Sequence, residues 1–137
     1  MLFRSRIFVR CPLLETLSLK RSDISSSILS CPLLQELDVA SCHKLSDPGV
    51  CIAAISCPLL QSLHISNCSY VSDETLREIA VACTDLHFLD ASYCSNISLE
   101  AVRMPRLVDL RLHNCEGINA TSMVSVSECF FLEVLQT

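Results

Sequence analysis

Apolar and polar positions alternate along this chain in short bursts, and the bursts recur. Leu17-Ser18-Leu19, Leu37-Asp38-Val39, Leu63-His64-Ile65, Leu89-Asp90-Ala91 and Leu110-Arg111-Leu112 each place one polar residue between two apolar ones. A period of two puts the apolar pair on one face of a strand and the polar residue on the other. Aligned on the residue that opens each segment, six copies begin at Cys11, Cys31, Cys57, Cys83, Met104 and Cys129, 20 to 26 residues apart. Every copy carries leucine at its fourth and seventh places: Leu14/Leu17, Leu34/Leu37, Leu60/Leu63, Leu86/Leu89, Leu107/Leu110 and Leu132/Leu135. The twelfth place holds Ser22, Cys42, Cys68, Cys94 and Cys115.

Leucines at this spacing, closing on a cysteine and repeating every 20–29 residues, form the leucine-rich-repeat signature. One such strand cannot bury its apolar side alone, but six stacked side by side make a parallel sheet with a continuous core behind it. The expected fold is α/β: a leucine-rich-repeat solenoid with a curved parallel sheet, and short helices and loops on the convex side. Pro12, Pro32, Pro58 and Pro105 follow the opening residue and end the preceding segment before each strand begins.

The return segments differ. Leu76, Ile79, Ala80 and Cys83 recur at helical spacing, with Ser72 or Asp73 as the cap. After Leu45, Asp47 is expected to cap a helix with Pro48 at its first position, and Asn119 to cap a weaker one. The stretch between Cys83 and Met104 has room for about one turn. The first return, Ser22–Ser30, is expected to be irregular or 3₁₀. Residues 1–10 read as a remnant of a preceding coil, and residues 11–137 as the array, its sixth copy cut inside its strand.

Composition narrows the function. Half of the 137 residues are apolar and none is Trp, so the core is built from aliphatic side chains and cysteine. The net charge is −5, which argues against nucleic acid, since binding phosphates needs a basic stripe. No apolar run is long enough to span a membrane, and the N-terminus lacks a secretory h-region. An intracellular location, cytoplasmic or nuclear, is expected, where thiols stay reduced.

Nine of the ten cysteines sit in phase with the repeat. That placement points to compact buried residues rather than to disulfides, and no closely spaced pair offers a metal site. No nucleophile stands beside a base on the sheet, and no cofactor motif is present, so an enzyme is disfavoured.

The variable chemistry lies between the leucines. The sixth places, facing away from the core, are Thr16, Glu36, Ser62, Phe88, Asp109 and Val134. The eighth are Ser18, Asp38, His64, Asp90, Arg111 and Gln136, and the tenth include His113. Glu36, Asp38, Ser62, His64, Phe88, Asp90, Asp109, Arg111 and His113 are therefore the candidate protein-binding residues of the concave face. Phe88 is its natural apolar anchor. His64 lies between Asp38 and Asp90 in its column, a setting that favours the imidazolium.

The arrangement C-P-x-L-x-x-L-x-[LVI]-x-x-C, with LDVASCHKLSD, ISNCSYVSDETLREIA and LDASYCSNISLEAV, resembles the cysteine-containing leucine-rich repeats of F-box/LRR proteins, those of plants above all. The resemblance covers nearly all of residues 11–137. It implies a substrate-recognition segment of a cullin-RING ubiquitin ligase of the SCF type. The arc would hold a protein substrate, and an F-box in a longer product would dock on the Skp adaptor. The repeats begin at residue 11, so the chain is expected to be a fragment or truncated product with uncapped, self-associating ends. A stand-alone scaffold or regulator without a ligase link is the other reading.

Overall fold

The computed structural model describes residues 6–137. The chain winds as successive coils with a sheet on one side and a mixed layer on the other. The strands of the main sheet are β2 (Thr16–Ser18), β4 (Glu36–Asp38), β5 (Ser62–His64), β6 (Phe88–Asp90), β7 (Asp109–Arg111) and β8 (Val134–Gln136). They pair in that order, all parallel. Register joins equal places of the repeat, as in Glu36 with Ser62, Ser62 with Phe88 and Phe88 with Asp109. The central leucines Leu37, Leu63, Leu89 and Leu110 form one buried ladder, continued by Leu34, Leu60, Leu86 and Leu107.

The layer behind the sheet varies with the length of each repeat. It contains β1 (Arg6–Val9) and β3 (Ser26–Leu29), then α1 (Asp47–Ile55), α2 (Asp73–Ala82), a turn at 99–102, and α3 (Ser122–Ser127). β3 overturns the expectation of an irregular or 3₁₀ return: it is extended and pairs in parallel with β1. The reason is reach, because a strand advances about 3.3 Å per residue and a helix only about 1.5 Å. The shortest copy crosses the back as a strand, whereas the copies opening at Cys31 and Cys57 have residues enough for α1 and α2. The copy opening at Cys83 crosses in a tight turn closed by the Val102 amide on the Leu99 carbonyl at 3.2 Å, with Leu99 and Ala101 at positive φ.

The helix caps explain how neighbouring coils are locked. Ser72 caps α2 by accepting the Glu74 amide at 3.3 Å. Asn119 serves α3 from just upstream, its Oδ1 accepting the Thr121 and Ser122 amides at 2.9 and 3.2 Å. Asp47 does not cap its own helix. The Ser46 carbonyl accepts the first α1 amide, from Val50, and the Asp47 carboxylate reaches the next coil. It accepts there from the Ser72 amide at 2.7 Å, and from the hydroxyls of Ser72 and Thr75. Asp73 repeats the device one coil on, accepting from the Ser98 amide at 3.0 Å, the Ser98 hydroxyl at 2.6 Å and the Leu99 amide at 2.9 Å. The recurring Ser-Asp pair is therefore a clamp between coils as well as a helix start.

Charge-assisted bonds of this kind outweigh exposed ion pairs. Asp73→Ala is expected to cost about 3 kcal/mol, because it leaves several inward-facing donors unsatisfied. Asp85→Ala breaks only the exposed Arg106 bridge at 3.5 Å and should cost under about 1 kcal/mol. Urea denaturation of the two variants checks the ranking; equal midpoints would contradict it.

Candidate functional site

The open face of the sheet is built on a second, tighter set of contacts at the trailing ends of the strands. The eleventh residue of each repeat, Arg21, Ser41, Asn67, Tyr93 or Asn114, sits in the left-handed region with φ between 51° and 62°. That conformation turns the chain off the strand and aims its amide across to the next coil. Ser41 donates to the Ser66 carbonyl at 2.8 Å, Asn67 to Ser92 at 2.8 Å and Tyr93 to His113 at 2.7 Å.

The twelfth-place thiol then points the other way. Cys42 donates to the Leu19 carbonyl at 3.1 Å, Cys68 to Val39 at 3.2 Å, Cys94 to Ile65 at 3.1 Å and Cys115 to Ala91 at 3.1 Å. Each cysteine thus bonds the coil before it, and this fixes the spacing of the polar columns in front.

Burial governs these thiols. It pushes Cys57 and Cys68 up to about 12, and Cys83 and Cys94 up to about 11, from an ordinary 9.0. At neutral pH they are protonated and poor nucleophiles or metal ligands. Among the described residues, no three His, Cys, Asp or Glu side chains gather as a metal cage.

The open face itself carries one connected line of side chains across four strands. Glu36 on β4 meets His64 on β5, Oε1 to Nε2, at 3.2 Å. The His64 ring lies 4.8 Å from the Phe88 ring on β6, tilted by 38°. The Arg111 guanidinium on β7 sits 5.1 Å from the centre of the Phe88 ring. Arg111 is held in turn by a two-pronged contact with Asp109, at 3.2 and 3.1 Å. The bonds and charge of Asp109 raise the Arg111 pKa above its usual value.

Five of the nine candidate residues, Glu36, His64, Phe88, Asp109 and Arg111, are therefore joined. Ser62 lies between Glu36 and Phe88 in the register.

Two expectations change. Asp38 and Asp90 flank His64 in the register, but their Oδ1 atoms accept the Ala40 and Ser92 amides at 2.9 and 3.0 Å. The imidazole pairs diagonally with Glu36 instead, because a carboxylate on a short side chain satisfies its own strand end first. Phe88 is not a bare anchor, since His64 and Arg111 both lean on its ring.

His113 stands apart from the line. Its Nε2 meets Gln136 Oε1 at 2.9 Å, so Gln136, which was not among the candidates, belongs to the face. A groove of about 660 Å³ beside the leading ends of β5 to β8 was also missed. Its signal lay in the third and fifth places of the repeat, outside the alternating strand pattern.

A Leucine Rich repeat family model matches residues 30–50, the greater part of the copy opening at Cys31. Together with the parallel six-stranded register, the match supports a leucine-rich-repeat protein of α/β class. A repeat of this kind suggests protein binding rather than catalysis. No helix among the described residues is long and apolar enough to cross a membrane.

The thiol ladder has a pH signature. Folding favours the protonated form of a group whose pKa it raises, so this contribution is intact below 9.0, the unfolded value. It is lost as pH rises from there through the folded values of about 11 to 12. The urea midpoint should therefore fall above about pH 9, and fall less steeply in Cys57→Ala/Cys83→Ala. Alkylation at neutral pH should label exposed Cys11 first, and Cys57, Cys68, Cys83 and Cys94 only after unfolding. Rapid native labelling of Cys68 or Cys94 would contradict the ladder.

Proposed function

We propose that this chain is a protein-binding segment whose open sheet face, concave in a curved array, is the recognition surface. The observation that carries the reading is the connected line from Glu36 through His64, Phe88 and Arg111 to Asp109. It presents fixed charges of both signs around one aromatic ring on a rigid sheet. Asp38, Ser62, Asp90 and His113 complete the surface, and the bound partner is a protein.

The repeat motif's resemblance to F-box/LRR proteins, those of plants in particular, extends the proposal. The segment selects a substrate for an SCF-type ubiquitin ligase in the cytoplasm or nucleus, with the Skp adaptor engaged only through an F-box of a longer product. A scaffolding role without ubiquitin transfer uses the same face, and the fate of the captured protein separates the two.

The test is site-specific photocrosslinking in cells. A benzoylphenylalanine at Ser62, on the face, should capture a partner that the same group at Glu78, on α2, does not. Phe88→Ala/Arg111→Ala should weaken capture about tenfold or more. Stabilisation of the captured protein when cullin activity is blocked assigns the ligase role, and unchanged turnover assigns the scaffold. Equal capture from both positions would overturn the face as the binding surface.

A further inference from the structure

The main sheet has two free edges. Among the described residues β2 pairs only with β4, and β8 only with β7. Behind the sheet the two ends are unlike. No return segment follows β8 among the described residues, whereas β1 is a return segment with no strand of the main sheet before it. Arg6 pairs with Ser26 and Val9 with Leu29, so β1 stands at the sixteenth to nineteenth places of a coil. β8 stands at the sixth to eighth. One end of the array therefore holds the front of a coil and the other end holds the back of one.

We infer that these ends are two halves of one coil, and that copies of this chain associate head to tail by completing it. β8 of one copy pairs in parallel with β2 of the next, and β1 of the next copy supplies the return. Three observations select a second copy as the occupant.

The hydrogen-bonding groups match. At all five joints inside the array, the fifth-place carbonyl accepts two amides of the following coil. Glu15 takes those of Gln35 and Glu36 at 2.8 and 3.0 Å, and Val108 those of Glu133 and Val134 at 2.8 and 3.0 Å. The ninth-place amide donates forward, as Leu112 does to the Gln136 carbonyl at 2.7 Å. Continued by one coil, the pattern brings the next copy's Glu15 and Thr16 amides to the Glu133 carbonyl. It also brings the Thr137 amide to the next copy's Ser18 carbonyl.

The apolar faces match. Inside the array the fourth- and seventh-place leucines are at most 3% exposed. At the ends Leu135 is 42% exposed, and Leu14, Leu17 and Leu132 are half-buried. In the shared register Leu17 covers Leu135, and Leu14 covers Leu132. Leu13 meets Phe131, and these two are the most exposed apolar residues of the third-place column.

The backs match. α3 is the last element behind the sheet, and Val124 on it is exposed. β1 of the next copy takes the following position, and a strand beside a helix is the contact that β3 and α1 already make. A symmetric joint between two β8 ends would bring two fronts together and leave both coils without a back.

The joint is heterologous, so each added copy presents a fresh β8 end. It sets the open faces of successive copies in one continuous sheet, and it does not depend on what those faces bind. Glu133 and Glu15 stand side by side across it as like charges, which weakens it.

The test is sedimentation velocity of the whole chain, whose average mass should rise with concentration. Glu15→Lys or Glu133→Lys alone should tighten association about threefold or more, and the two together should cancel, because like charges meet again. Thr16→Pro removes an amide that points away from β4, and Phe131→Asp/Leu135→Asp makes the β8 end polar. Each variant alone should weaken association about tenfold or more. An equal mixture of the two should form dimers and nothing larger, since one intact pair of ends remains.

A monomer at every concentration would overturn the proposal. So would additive rather than cancelling charge reversals, self-association undiminished in Thr16→Pro, or a mixture of the two folded variants that yields no dimer.

Discussion

The constraint on which the rest depends is the ninth-place carbonyl, which takes the next coil's thiol throughout the array and is used twice in the coils opening at Cys11 and Cys31. The ninth-place oxygen of Val39 accepts its own coil's Cys42 amide at 3.3 Å and the next coil's Cys68 thiol at 3.2 Å. Leu19 does the same for the Ser22 amide and the Cys42 thiol. A carbonyl has two lone pairs, and this geometry fills both from groups that burial would otherwise leave unsatisfied. Cysteine suits the place because it is small, loses little on leaving water, and donates one weak bond in a single direction. The left-handed residue just before it turns the chain so that thiol and amide reach opposite neighbours. The thiol bonds from Cys42 to Cys115 thus tie each coil to the one before it behind the hydrogen-bonded strands.

Once the strand and its exit are fixed, the rest of each repeat is free to vary, and it does. The same front is backed by a strand, a helix or a bare turn, according to how many residues must cross the molecule. Asp47 and Asp73 recover the order that such variation would cost, each tying the start of one return segment to the next. Where the return has no Ser-Asp start of its own, as in the turn at 99–102, the preceding Asp73 still holds it through Ser98 and Leu99. Front and back are thus stabilised by different bonds, and the front tolerates an uneven back.

This division also explains what was legible in the sequence. The strands, their register and the outward columns follow from a period of two and from leucines that allow one alignment, so residues such as Glu36, His64 and Arg111 could be placed by counting. Which neighbours a side chain chooses does not follow from counting. His64 has carboxylates on both sides in its column and binds neither, because the amides of Ala40 and Ser92 take Asp38 and Asp90 first. Asp47 looked like a cap because caps are local, and the bonds that claim it come from residues 25 and 28 positions later. The strand at 26–29 was hidden because Ser-Ser-Ile-Leu has no clear period, and the length of the repeat decides its conformation.

The line across the open face has a consequence for how that face works. Glu36, His64, Phe88, Arg111 and Asp109 touch in sequence, so no member is altered without shifting the next. Removing Phe88 takes away the ring that both His64 and Arg111 lean on, and removing Asp109 frees Arg111 to move. Neighbours joined in this way show interaction energies rather than additive effects. The face is therefore best understood as one preorganised polar surface, in which most side chains are already held before a partner arrives. As the proposed recognition surface, such a face would lose little freedom on binding, and its specificity would lie in how charge and ring are spaced.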